Sequence, residues 1–258
     1  NGLMSAETIM VPCPCFAEID DYAAANPGLK FGVHLPHTSE WKGYKWGPAA
    51  AGGLVPGLPD PNGYLWPDVP SVYRNSSAEE AYIEARAQIE KFIAAGIVPT
   101  HIDSHMGTMM FNPDYMAMYA RLAREFGLPL RMASQATMEE NGFPEIRSRL
   151  EARGLVFPDY FVYGELGEDY GEKVEETWIR ILSALKPGVT EIYIHASIPG
   201  EELKAITGSW KTRVGEYNAF TGSSRISRLL DERKIKLISY QPLKDLQQKI
   251  RDESNTEK

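Results

Sequence analysis

An α/β chain closed as a (β/α) barrel is the fold class that three observations predict. Short β-rich runs alternate with longer stretches of helical apolar spacing along the 258 residues. Strand–helix–strand order implies parallel pairing with right-handed crossovers. Seven β-rich runs within this length favour a barrel over an open sheet.

The candidate strands are Glu7–Pro12 (ETIMVP), Lys30–Leu35 (KFGVHL), Thr100–Ser104 (THIDS), Leu130–Ser134 (LRMAS), Tyr160–Gly164 (YFVYG), Glu191–Ala196 (EIYIHA) and Lys236–Tyr240 (KLISY). Of the helices between them, the clearest runs from Ser77 to Ala95. Ser77 and Glu80 can form a capping box, Tyr82, Ala85, Ile89, Phe92 and Ile93 follow helical spacing, and Gly96 closes the helix. The next opens with Asn112 as N-cap and Pro113 in the first turn. Its stripe of Tyr115, Met118, Tyr119, Leu122 and Phe126 is core, ending at Gly127. A third helix runs from about Lys173 to Leu185 and stops before Lys186-Pro187-Gly188.

A barrel of this type has eight strands, and the one not found would be the first. Asn1-Gly2 reads as the C-cap of a helix that precedes the sequence. The expectation is a single barrel domain over residues 1–258 whose first βα unit lies upstream. Two long loops interrupt the pattern, 36–73 and 197–209. The first carries Trp41, Trp46 and Trp66. Long loops in a compact domain are uncommon unless functional, and aromatic loops at a barrel mouth suit a sugar or another flat ligand. A lid packed on its own tryptophans fits equally well. The charged tail, 251–258, is expected to fray.

Composition narrows the partners. Hydrophobic residues make up 43% of the chain, enough for a sizeable core, and net charge is −8. No Lys/Arg block stands out, so a nucleic acid or an anionic membrane has no electrostatic footprint. No run of eighteen apolar residues is present, so no transmembrane helix is expected. Cys13 and Cys15 are too close in sequence for an ordinary disulfide and read as small apolar residues near a strand end. The sequence leaves a homodimer open and does not fix the compartment.

The five histidines are not scattered. His34 ends the second candidate strand, His37 follows in its loop, His105 lies just past the third strand and His195 ends the sixth. Side chains alternate along a strand, so His101 and Asp103 share the face of His105. Active sites of (β/α) barrels lie at the C-terminal strand ends, so histidines from three strands would converge at one mouth. Neutral imidazoles with carboxylates are ligands for divalent first-row metals. A metal at His34 and His105 needs at least one carboxylate as well. Asp103 is available, and an Asp beside a ligating His typically accepts the ring's other N–H. Each histidine taken alone also fits a satisfied core residue or a polar group lining the mouth. Arg131, at the end of the fourth strand, is a candidate for contacting sugar hydroxyls or orienting a carboxylate. A solvated strand-end charge is as good a reading of it.

"NPGLKFGVHL", "PTHIDSH", "TEIYIHA" and "IKLISY" stand here in the order and spacing of the YdjC-like carbohydrate deacetylases, the family of the chitooligosaccharide deacetylases. The chain resembles that family from Gly2 to Tyr240. The resemblance implies a distorted, TIM-like (β/α) barrel that removes an acetyl group from an N-acetylated sugar or oligosaccharide. It implies one divalent metal ion, Mg²⁺ or Zn²⁺, held by an Asp and two His. The family's metal histidines fall on His34 and His105. The histidine of its late His-Pro motif falls on His195, which becomes the catalytic acid for the departing amine. From their positions on the strands rather than from the resemblance, Asp103 is a further candidate catalytic residue and Arg131 the candidate for substrate binding. The family's opening strand ends in an Asp-Asp pair, one aspartate a metal ligand and the other the base; this sequence begins after that point. It also reads "HAS" where the family has His-Pro, and "SHMGT" where the family is richer in histidine.

Two other readings fit the residues. One is a different metal-dependent barrel hydrolase or isomerase, for which Glu165 would be the extra carboxylate. The other is a catalytically incomplete sugar-binding barrel.

Overall fold

The computed structural model describes residues 3–162 and 173–256. Its elements run β1 (Glu7–Met10), α1 (Phe16–Ala25), β2 (Phe31–Leu35), α2 (Val69–Asn75), α3 (Ala78–Ala94), β3 (Ile102–Ser104), a 3₁₀ turn (His105–Gly107), α4 (Pro113–Phe126), α5 (Gln135–Glu140) and α6 (Ile146–Glu151). They continue with β4 (Tyr160–Val162), α7 (Val174–Ser183), β5 (Thr190–Ile192), α8 (Glu201–Ile206), α9 (Trp210–Gly222), α10 (Ser224–Glu232) and α11 (Gln241–Thr256). Contacts divide the chain into a larger unit, Ala6–Phe157 with Ser239–Lys258, and a smaller one, Asn1–Ser5 with Pro158–Ile238.

The larger unit is built on a parallel sheet in the order β1-β2-β3. Val33, Leu35 and Ile102 are fully buried, as expected for parallel strands covered on both faces. Helix α3 starts where Ser77 and Glu80 complete the capping box. Asn112 caps α4 through the Asp114 and Tyr115 amides, and Gly127 ends it in the left-handed conformation at φ 64°. Tyr115, Tyr119 and Leu122 of the expected stripe are buried, with Met118 and Phe126 packed against the same core. Tyr119 Oη donates to the carbonyls of Ile102 and Arg131, tying α4 to the sheet.

In the smaller unit, β4 and β5 pair in parallel. Trp178 of α7 is fully buried, with Phe220 of α9 edge-on at 5.2 Å. Ser223 caps α10 through the Ile226 amide.

The expected strands are not all formed. Among the described residues there are five, in two parallel sheets, where seven were expected. Leu130 contributes an isolated parallel bridge to Ile102 instead of a strand through Ser134. Residues 236–240 form no strand. A β-rich composition makes a strand only where a neighbour completes the ladder, and Lys236 and Leu237 stay exposed. The fifth candidate forms at Tyr160–Val162, its last two residues lying outside the described ones. The sixth forms one residue early, at Thr190–Ile192.

The loop expected over 197–209 contains α8, whose first turn carries Glu201 and Glu202 at its positive end. The loop 36–73 ends where Asp68 caps α2 through the Ser71 amide. The tail expected to fray is helical through Thr256, with side-chain links Gln248–Asp252 and Lys249–Glu253 one turn apart. Asn1-Gly2 and Glu165, singled out above, lie outside the described residues.

Candidate active site

Parallel register sets the first contact. His34 of β2 pairs with Asp103 of β3, so both side chains leave the sheet on one face. His34 Nδ1 lies 2.9 Å from Asp103 Oδ2. Asp103 is fully buried. Its Oδ2 also receives the guanidinium of Arg131, itself buried and held beside β3 by its amide's bond to the Ile102 carbonyl. Arg131 is therefore not a solvated strand-end charge. Burial alone would push the Asp103 carboxyl up; Arg131 and His34 outweigh it and hold the group well below the usual carboxylate range.

His105 reaches the same place from the turn after β3. Met106 adopts φ 50° and Gly107 φ 67°, which reverses the chain within one turn. The Thr108 amide closes the turn on the His105 carbonyl. His34 Nε2 and His105 Nδ1 end 3.0 Å apart, their rings nearly perpendicular at 76°. Behind His105, Nε2 lies 3.0 Å from Glu40 Oε2. Burial lowers the pKa of His34, and its neighbours His105 and Arg131 act in the same direction against Asp103.

These contacts make a row: Asp103, His34, His105, Glu40. Each imidazole has a carboxylate oxygen within 3.0 Å of its outer nitrogen, which favours the proton on that nitrogen. The tautomers follow from those partners. Both inner nitrogens then carry lone pairs, and two lone pairs 3.0 Å apart repel unless a cation lies between or beside them. The donor set thus suits a proton or a metal ion. Among the described residues no group of three or more His, Cys, Asp or Glu is arranged to hold a metal. His34 and His105 would supply two nitrogens, and a complete set needs further donors.

The loop after β2 delivers Glu40. Ser39 is buried; its amide donates to the Trp66 carbonyl at 2.8 Å and its Oγ accepts the Trp46 amide at 3.2 Å. Trp46 Nε1 donates to the Thr38 carbonyl, and its ring stands 6.5 Å from that of His105. Further along, the Ala49 and Ala50 amides both donate to the buried Glu84 carboxylate on α3, each at 2.8 Å. Trp41 and Tyr44 stand edge-on to Trp46, and Cys15 Sγ lies 3.5 Å from Tyr44 Oη. Cys13 is a free thiol whose pKa burial, helped by Glu40, pushes up to about 12.

Two histidines serve the core. His37 is buried, hydrogen-bonded through Nε2 to the Ala81 carbonyl, and burial lowers its pKa to about 4. His101 stacks on Tyr240, ring centres 3.7 Å apart and 4° from parallel, and burial lowers its pKa to about 3. His195 belongs to the smaller unit, past β5. Its amide donates to the buried Glu216 carboxylate at 2.7 Å, and its exposed ring meets Tyr193 edge-on. Glu40 and Glu84 gave no sequence signal. One sits in an irregular loop and the other looks like a helix's polar face.

A family model described as "YdjC-like protein" matches residues 1–232. A carbohydrate deacetylase of Enterococcus faecalis is 29% identical over 249 residues, covering 94% of this chain and 88% of that protein. One from Thermus thermophilus is 31% identical over 214 residues, covering 82% and 77%. Among solved structures, a candidate cellobiose-phosphate cleavage protein from Enterococcus faecalis V583 superimposes with a TM-score of 0.80 at 28% identity. That likeness covers 94% of this chain and 88% of the other.

Proposed function

The chain belongs to the YdjC-like protein family, and on that premise we propose that it is a carbohydrate deacetylase that hydrolyses the amide of an N-acetylated sugar at the His34–His105 pair. The observation that carries this reading is the row of alternating carboxylates and imidazoles, with its two inner nitrogens 3.0 Å apart. The relatives named carbohydrate deacetylases support the reaction class.

His34 and His105 would hold one divalent cation, Mg²⁺ or Zn²⁺, with ligands beyond this pair. When bound, such an ion supplies Lewis acidity that polarises an amide carbonyl and acidifies water. The chain's own residues prepare for it. The Asp103 carboxylate, 2.9 Å from His34 Nδ1, favours the proton on that nitrogen, which leaves Nε2 free to act as a donor of electrons. Arg131 keeps Asp103 ionised and in place. Its role in this proposal is to hold that carboxylate. His195 keeps the role of acid for the departing amine on the family pattern alone. The finer fold reading, a single distorted (β/α) barrel domain, is likewise proposed. Its support is the family match, which runs through residues of both units.

The test is acetate release from N-acetylated chitooligosaccharides with added Mg²⁺ or Zn²⁺. In a protein that includes the family's opening Asp-Asp strand, acetate should be released, and His105→Ala should neither release it nor bind the ion. Unchanged ion affinity in His105→Ala removes the assignment.

A further inference from the structure

We infer that Glu40 is a positioning residue for this site: it fixes the tautomer and ring orientation of His105, and the loop after β2 is built to present it. The inference rests on the reading of His34 and His105 as the working pair.

The pair is asymmetric in sequence but symmetric in chemistry. The carboxylate for His34 comes from a neighbouring strand, where register alone places it. His105 lies past the end of β3, beyond the reach of strand pairing, so its carboxylate must come from elsewhere. Glu40 supplies it from 65 residues away at 3.0 Å. An exposed ion pair would carry little weight, but here the side chains are 14% and 26% exposed.

The backbone on both sides of Glu40 is fixed. Thr38 bridges to Trp66 and accepts the Trp46 indole N–H. Ser39 binds the Trp66 carbonyl, the Trp46 amide and, through its own carbonyl, Lys45 Nζ. Thr38 Oγ1 also reaches Met106 Sδ, beside His105. The loop's tryptophans therefore hold one short segment against the turn that carries His105.

Without Glu40, nothing in this row selects the Nε2–H form of His105, and Nδ1 carries the proton part of the time. A protonated Nδ1 facing His34 cannot bind a cation. Gln in place of Glu keeps a carbonyl oxygen that can accept from Nε2; Ala does not.

The experiment compares native protein, Glu40→Gln and Glu40→Ala. Long-range ¹H–¹⁵N spectra of the metal-free proteins read the ring, with His105→Asn assigning the signals. Zn²⁺ titration reads ion affinity. Native protein and Glu40→Gln should show His105 Nε2 protonated, whether or not a proton is shared between the inner nitrogens, and Glu40→Ala should show Nε2 without its proton part of the time. Glu40→Ala should bind Zn²⁺ roughly 10- to 100-fold more weakly, with Glu40→Gln recovering much of the loss. Unchanged His105 signals and Zn²⁺ affinity in Glu40→Ala overturn the inference. Should a protein that includes the family's opening Asp-Asp strand release no acetate, the deacetylase reading fails, while the tautomer spectra still decide the role of Glu40.

Discussion

The imidazole of His101 occupies the space that a side chain on Gly32 would need. A Cβ built on Gly32 meets the ring atoms Cε1, Nδ1 and Nε2 of His101 at 2.3 to 2.6 Å. Tyr240 backs that ring from the other side. The glycine of "GVHL" and the first histidine of "THIDSH" are thus two halves of one packing contact.

Gly32→Ala should therefore destabilise the fold by about 2 kcal/mol through overpacking. Urea unfolding measures it. Adding His101→Ala should return part of the loss, because the clash needs both residues. Strictly additive effects would contradict the contact.

Asp103→Asn keeps an acceptor for His34 but removes the carboxylate charge that faces the buried Arg131 guanidinium. The expected cost is about 3 kcal/mol in unfolding free energy. Arg131→Met in the same background should recover a substantial part. Because the folded-state pKa of Asp103 is depressed, its contribution is present above the unfolded carboxylate value. It fades as pH falls through the acid range, and the Asn variant should lack that part of the profile.

Stability should fall below neutral pH before most carboxylates titrate. His37 and His101 have pKa values lowered to about 4 and about 3. The unfolded chain takes up those protons near the ordinary value of 6.5. The stabilisation is thus present above that value and is lost as pH drops toward 4. Each ring contributes a slope of about 1.4 kcal/mol per pH unit across that window. Unfolding free energies at pH 7, 6 and 5 check this, and a flat profile would mean that the rings are charged in the folded state.

Glu84→Ala removes the acceptor for the Ala49 and Ala50 amides. Leaving the buried Ala50 amide and the half-buried Ala49 amide without this acceptor should cost about 2 kcal/mol. The same change should loosen the loop that carries Trp46 and Trp66. A red shift of tryptophan emission and new proteolytic cuts near Ala49 are the expected signs. Unchanged emission and cleavage would mean that other contacts hold the loop.

What the sequence reveals here is what local rules govern. The caps of α3 and α4 obey short-range chemistry, and Ser77, Glu80, Asn112 and Gly127 all stand where those rules place them. His101, Asp103 and His105 could be put on one face because side chains alternate along a strand, whereas the pairing of His34 with Asp103 needed the register of two strands. Glu40 obeys no such rule, since it meets His105 only through the path of a long irregular loop. Glu84 is hidden for a related reason: on a helix, a carboxylate that faces a loop reads like one that faces water. The strand expected at 236–240 illustrates the opposite error. Its residues favour β structure, but Tyr240 is committed to His101 and no ladder forms there.

The larger unit is interrupted in sequence: it pauses at Phe157 and resumes at Ser239. Its final part supplies Tyr240 to the His101 stack, Lys244 to the Pro99 carbonyl and Gln247 to the Val156 amide. A ribosome therefore finishes the smaller unit's stretch before it makes the pieces that close the larger one. The nascent larger unit must wait with His101 uncovered, a period in which chaperones or proteases have access that the finished protein denies them.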